Sequence, residues 1–290
     1  MNQVVSNVPD TAFMVAGIRA LETERPDALF RDPLAAKLLG ERSRHFLTPL
    51  PGRFVGWSVV IRTVIIDALI QEAIANGVDT ILNLGAGLDT RPYRMALPRS
   101  LRWIEVDYTH MIELKDTELA DEAPNCRLDR VKLDLTDCAG RRRLFDEVSE
   151  SAAGILILTE GVISYLTEPD VVALADDLRR TDKVSFWIVD YLSPAAVRYG
   201  RKMRPSFMRD APYSFEPEDW FDFFGRQRWR PVEIRYIAEE AERLGRPMPL
   251  SRDLKAWETF TGLFTSRARR QKKMRQSAAY VLLTPVRTSA

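Results

Sequence analysis

The spacing of apolar residues changes character at Gly77. From residue 11 to 76 apolar positions recur at helical intervals: Phe13, Met14, Ile18 and Leu21 share one face, with Thr11 as candidate N-cap and Pro26 as the stop. A short helix is expected after Asp32-Pro33, with Asp32 capping it and Pro33 in the first turn, where a missing N–H costs least. Pro49 and Pro51 then interrupt the chain. A longer helix runs from Phe54 to Asn76, and Gly77 is placed to end it in a left-handed conformation.

Beyond Gly77, short β-branched or Leu/Ile-rich runs alternate with charged amphipathic stretches, the pattern of a parallel sheet covered by helices. Strands are expected over Thr80–Leu84, Leu101–Val106, Arg127–Leu133, Ile155–Thr159 and Val184–Asp190, joined by right-handed crossovers, with two more over Pro231–Ile237 and Ala279–Thr284. The interval from Leu192 to Pro217 has no strand pattern and carries Pro194, Pro205 and Pro212, so it reads as an insertion over the sheet. The expected fold class is α/β, with a helical cap over residues 1–76, a sheet domain over 77–290 and a lid around 192–217.

Composition narrows the chemistry. With 42 Lys and Arg against 41 Asp and Glu, the net charge is +1, and 46% of the 290 residues are hydrophobic, as in an ordinary globular protein. That balance gives no global reason to expect nucleic acid or a membrane surface as partner. The run Arg267, Arg269, Arg270, Lys272, Lys273 and Arg275 contains no base-stacking aromatic and reads as a solvated helix face. The apolar stretch Val59–Ile70 is broken by Arg62 and Asp67, well short of the roughly 20 residues a membrane span requires. Met1–Asp10 shows no basic-then-apolar leader, so a cytoplasmic location is expected. Cys126 and Cys138, with eleven residues between them, match neither a zinc nor a redox spacing. His45 and His110 are the only histidines, too few for a His-rich metal site, and no metal is expected.

Candidate chemistry concentrates at strand ends. Ile81-Leu82-Asn83-Leu84-Gly85-Ala86-Gly87 is a strand entering a Gly-x-Gly turn, where the absence of Cβ lets backbone approach a ligand. Thr90 stands where the dinucleotide fingerprint would have its third glycine. The second strand ends at Asp107, 20 residues after Gly87, and an acid there can accept both ribose hydroxyls of a nucleoside; otherwise it caps the next helix. Asp134-Leu135 and Glu160-Gly161 follow the third and fourth strands, and each acid could serve the adenosine or methionine part of a ligand or cap a helix. Three acids in series suit the cationic methyl donor S-adenosylmethionine better than a pyrophosphate-bearing dinucleotide, which they would repel.

These motifs resemble the leucine carboxyl methyltransferase family, including its bacterial branch of S-adenosylmethionine-dependent O-methyltransferases tied to polyketide-type small molecules. The matching segments are Thr11-Ala12 through Glu22, Asp32-Pro33-Leu34-Ala35, Arg62-Thr63, Leu84 through Arg94, Glu105-Val106-Asp107, Asp134-Leu135, Thr159 through Leu166, and Phe215-Glu216-Pro217. The resemblance implies a class I methyltransferase Rossmann-like fold with a seven-stranded, mostly parallel sheet, the N-terminal helical cap and the inserted lid. It further implies that Arg62 clamps the methionine carboxylate and that Gly85, Ala86 and Gly87 line the methionine and ribose. Asp107 would hold the ribose, Asp134 and Leu135 the adenine, and Glu160 the methionine ammonium side. Tyr165 would stand near the acceptor entrance, and Arg94 can pair with an acid beside the loop.

The activity so implied is methyl transfer to a carboxylate or hydroxyl oxygen of a small-molecule acceptor, leaving S-adenosylhomocysteine. A carboxylate acceptor needs no base, whereas a phenol of pKa near 10 benefits from one. Neither histidine is well placed as a base, which favours a carboxylate acceptor, with Arg198, Tyr199, Arg201 or Lys202 as anion-holders. The competing readings are an NAD-dependent oxidoreductase, disfavoured by Thr90 and Glu160, and a non-catalytic nucleoside-binding protein.

Overall fold

The structure, a computed structural model, describes residues 8–40, 53–203, 213–249 and 274–287. Its strands are β1 (Thr80–Leu84), β2 (Arg102–Asp107), β3 (Arg127–Lys132), β4 (Ile155–Thr159), β5 (Val184–Leu192), β6 (Trp229–Tyr236) and β7 (Ala278–Pro285). They form one seven-stranded sheet in the order β3-β2-β1-β4-β5-β7-β6. The first five run parallel, and β7 pairs antiparallel with both β5 and β6. The order reverses between β1 and β4, so the crevice outside their carboxyl ends is where a ligand can sit.

Helix α1 (Val8–Thr23) starts before the expected Thr11 cap, because Pro9 occupies the first turn without loss and Thr11 falls inside the helix. Helix α2 (Pro33–Leu39) is capped as expected, the Ala35 N–H donating to Asp32 Oδ1 at 3.1 Å. Helix α3 (Arg53–Ala75) ends at Gly77, whose φ of +90° lets its N–H and that of Val78 reach back to Ile74 and Ala73. Then come α4 (Arg91–Arg94), α5 (Thr109–Glu118), α6 (Cys138–Ser151), α7 (Glu168–Arg180), α8 (Pro194–Met203), α9 (Trp220–Arg226) and α10 (Ile237–Arg243).

Alternation along the strands sends side chains to two faces. Leu82, Leu84, Ile104 and Val106 pack against α6, α7 and α9 through Phe145, Leu174 and Phe224. Ile81, Trp103, Leu156 and Ile188 meet Ile61, Ile65, Ile66 and Leu69 of α3 on the opposite face. A third cluster joins α1 and α2 to Leu88 and Met111. Residues 54–75 of α3 have the length and mean hydropathy, 1.6, that a bilayer span needs. Here, however, that apolar surface is one layer of the sheet's core, and Arg62 and Asp67 interrupt it where the helix passes the strand ends.

Candidate functional site

The chain turns sharply after β1 because Gly85 and Gly87 hold φ of +69° and +48°. A Cβ on Gly85 would lie 2.5 Å from Val162 Cγ2, so glycine is required there by space as well as by backbone. The Gly87 N–H donates to Asp107 Oδ2 at 2.6 Å, and the Tyr108 N–H donates to Asp107 Oδ1 at 2.7 Å. Asp107 therefore does not cap α5; it ties β2 to the glycine turn and keeps a lone pair on each oxygen for a ligand hydroxyl.

Glu160 follows β4 and caps nothing. Its Oε2 lies 2.7 Å from Arg91 Nη1 and its Oε1 lies 3.0 Å from Arg62 Nε. Burial would raise the Glu160 carboxyl, but Arg91 and Arg62 outweigh it and hold it below the usual carboxylate range. The contact to Arg62 lacks hydrogen-bond geometry, and Arg62 Nε is buried without a hydrogen-bond partner. A ligand carboxylate could supply one through a guanidinium fork. This orphaned donor fits the carboxylate at the methionine end of S-adenosylmethionine.

Asp134 Oδ1 accepts from the Thr136 N–H and Oγ1, an Asx turn after β3, while the cap of α6 falls to Asp137. Leu135 is half-buried and packs on the sheet's core. Burial raises the Tyr108 phenol, helped by Asp134 and Asp107, so these three groups share one end of the crevice. His110 stacks on the exposed Tyr108 ring with centroids 5.9 Å apart. His45, and the basic run from Arg267 to Lys273, lie outside the described residues; Arg275 pairs with Glu242. Among the described residues no group of His, Cys, Asp or Glu could hold a metal ion.

Arg91 and Asp67 are the members that sequence reasoning gave no role. Arg91, 2% exposed, contacts Asp67 at 2.6 Å, Asp89 at 2.8 Å and Glu160 at 2.7 Å. Arg94 pairs with Asp67 at 2.7 and 2.9 Å, the acid partner expected for it. Arg19 of α1 donates to Asp32 and to the Leu88 carbonyl, and Lys115 of α5 reaches the Asp89 carbonyl at 2.8 Å. The glycine loop is thus tied to α1, α3 and α5. A signal was present in the sequence: Asp67 is an acid inside the mostly apolar stretch Val59–Ile70.

A cavity of about 300 Å³ opens between β5, α8 and the segment before α9. Ser164 and Asp190 line it, with Tyr213, Phe215 and Trp220. Tyr165, in the 3-10 turn Ile163–Tyr165, is not among the lining residues; its ring sits 5.5 Å from that of Tyr213. Arg198 lines the cavity, whereas the side chains of Tyr199, Arg201 and Lys202 lie outside the described residues.

Comparison with known proteins agrees with this geometry. Residues 12–179 match the family model described as leucine carboxyl methyltransferase. A Streptomyces avermitilis protein assigned as an S-adenosyl-L-methionine-dependent methyltransferase is 32% identical over 257 residues, covering 84% of this chain and 90% of its own. One from Frankia alni, assigned likewise, is 32% identical over 272 residues, covering 84% and 89%. In fold, the chain is similar to the crystal structure of a protein assigned as a methyltransferase from Thermobifida fusca, with TM-score 0.55, 15% identity and coverage of 98% and 96%. The chain belongs to the leucine carboxyl methyltransferase family of S-adenosylmethionine-dependent methyltransferases.

Proposed function

We propose that this methyltransferase transfers its methyl group to an oxygen of a small-molecule acceptor, and that Arg62, Gly85, Ala86, Gly87, Asp107, Asp134, Leu135 and Glu160 bind the methyl donor. The observation that carries the reading is the left-handed glycine turn held by Asp107, with the Arg62–Glu160 pair beside it. The donor supplies an activated methyl on a sulfonium. The chain's own residues hold that end in place and align the acceptor with it, which is the main catalytic demand of an in-line displacement. Arg62 would bind the carboxylate of the methionine part, Glu160 its ammonium side, and Asp107 the ribose. Tyr165 would stand at the entrance on the acceptor side. The helices before residue 77 and the segment 192–217 would act as cap and lid over residues 77–290, and the enzyme would work in the cytoplasm without a metal.

Calorimetry with S-adenosylhomocysteine tests this reading. The intact protein should bind it, and Asp107→Ala or Glu160→Ala should weaken binding roughly ten- to a hundredfold, the scale of hydrogen bonds to a charged group. No binding by the intact protein would remove the proposal.

A further inference from the structure

The cavity between β5 and α8 is lined by polar groups that the proposed donor site does not use. Asp190, near the end of β5, accepts from Ser164 Oγ through Oδ2 at 2.5 Å, while its Oδ1 is buried with no hydrogen-bond partner. Trp220, 4% exposed, has its indole N–H in the same condition. Both residues line the cavity. One unpaired acceptor and one unpaired donor complement a hydroxyl-bearing ligand, whose hydroxyls can donate to the first and accept from the second. An ionised carboxylate only accepts, so it would leave Asp190 unmatched.

Charge points the same way. Among the described lining residues Asp190, Glu216 and Glu218 carry carboxylates against one guanidinium, that of the exposed Arg198. We propose that the acceptor is a neutral alcohol or phenol and that Asp190, oriented by Ser164, removes the hydroxyl proton during transfer. As the acceptor oxygen bonds to the methyl carbon, the carbon–sulfur bond breaks and its electron pair stays on sulfur. The hydroxyl proton passes to Asp190 and from there to water. The products are a methyl ether, S-adenosylhomocysteine and a proton. An amine attacks through its own lone pair and has no need of this base. The proposal rests on the methyltransferase reading of the site, and it reverses the carboxylate preference drawn from the scarcity of histidine.

The surroundings of Asp190 support a base. Burial raises its carboxyl above the ordinary aspartate value, and the Ser164 bond and Arg62 hold it back while Glu160 pushes it further. Tyr280, its cross-strand neighbour on β7, stays neutral because burial pushes its phenol far up. A carboxylate whose pKa is raised is a stronger base.

The test uses labelled methyl donor with a panel of phenols, alcohols, carboxylic acids and amines, followed by mild base. Label in hydroxyl members that survives base is expected. A panel whose hydroxyl members take no label, or whose label leaves as methanol, overturns the proposal. With a labelled hydroxyl acceptor, Asp190→Asn should lower kcat at least about a hundredfold, the usual scale for a general base, while S-adenosylhomocysteine still binds. Ser164→Ala provides the second readout: it removes a bond that holds the Asp190 carboxyl down, so the acidic limb of kcat/KM should move to higher pH. A limb unmoved in Ser164→Ala, or full activity in Asp190→Asn, overturns the proposal and leaves donor binding intact. Failure of the wild type to bind S-adenosylhomocysteine would instead strike the underlying reading.

Discussion

Arg91 meets three carboxylates at 2.6 to 2.8 Å, whereas in the neighbouring cavity Asp190 Oδ1 and the Trp220 indole N–H are buried with no hydrogen-bond partner. The first arrangement locks α3, the loop after β1 and the end of β4 together and so fixes the proposed donor side before any ligand arrives. The second leaves polar groups unsatisfied at a cost to stability, which persists where an incoming ligand supplies the missing partners. The donor is the same molecule throughout such enzymes, so its cradle can be rigid. The acceptor side is where one member can differ from another, and we propose that here it is the cavity between β5, α8 and the segment before α9.

Removing the centre of the locked side should have the largest effect. Arg91→Ala would leave Asp67, Asp89 and Glu160 without their shared cation, and breaking a buried pair of this kind costs about 3–5 kcal/mol. Urea unfolding should show that loss, and S-adenosylhomocysteine binding should fall with it as Glu160 is freed. A variant that unfolds at the wild-type midpoint would show that the network is not what holds the loop.

Gly85→Ala should come next, because a left-handed backbone alone costs a residue with Cβ about 1–2 kcal/mol and the new methyl would also overlap Val162. Gly245→Ala is the matched control, since Gly245 has φ of +68° and nothing lies within 4 Å of where its new methyl would sit. Both should lower the unfolding midpoint, but only Gly85→Ala should also weaken S-adenosylhomocysteine binding. Equal binding in the two variants would separate the glycine turn from the donor site.

The same contrast runs through what can be read from the sequence. β1, β4, β5 and β7 are legible as short apolar runs, and Asp107 and Glu160 stand out as acids at the ends of strands. Thr11 has the chemistry of a cap, yet Pro9, two residues earlier, already begins the helix. The roles of Arg91 and Asp67 are not legible, since their partners come from α3, the loop after β1 and the end of β4, segments joined only by folding. Asp190 reads as the end of a strand, yet β5 continues to Leu192 and places it beside Ser164, a contact across 26 residues of chain. Its apolar strand disguises a fourth acid in the series.

The smallest effect is also the most discriminating, because the two sides should respond to pH with opposite signs. Arg91 and its neighbours hold the Asp89 and Glu160 carboxyls below their ordinary range despite burial, so the stability they provide is present above pH ~4 and lost as pH falls through their folded values. Asp190 is raised, so its contribution is present below the ordinary aspartate value and lost as pH climbs through its folded one. Asp190→Asn cannot ionise and escapes that loss. Its Tm relative to wild type should therefore rise as pH climbs above ~4, even as transfer to a hydroxyl acceptor collapses. A difference that stays flat across that range would mean that Asp190 titrates as an ordinary surface carboxylate and that the two sides do not differ in the way their hydrogen bonding implies.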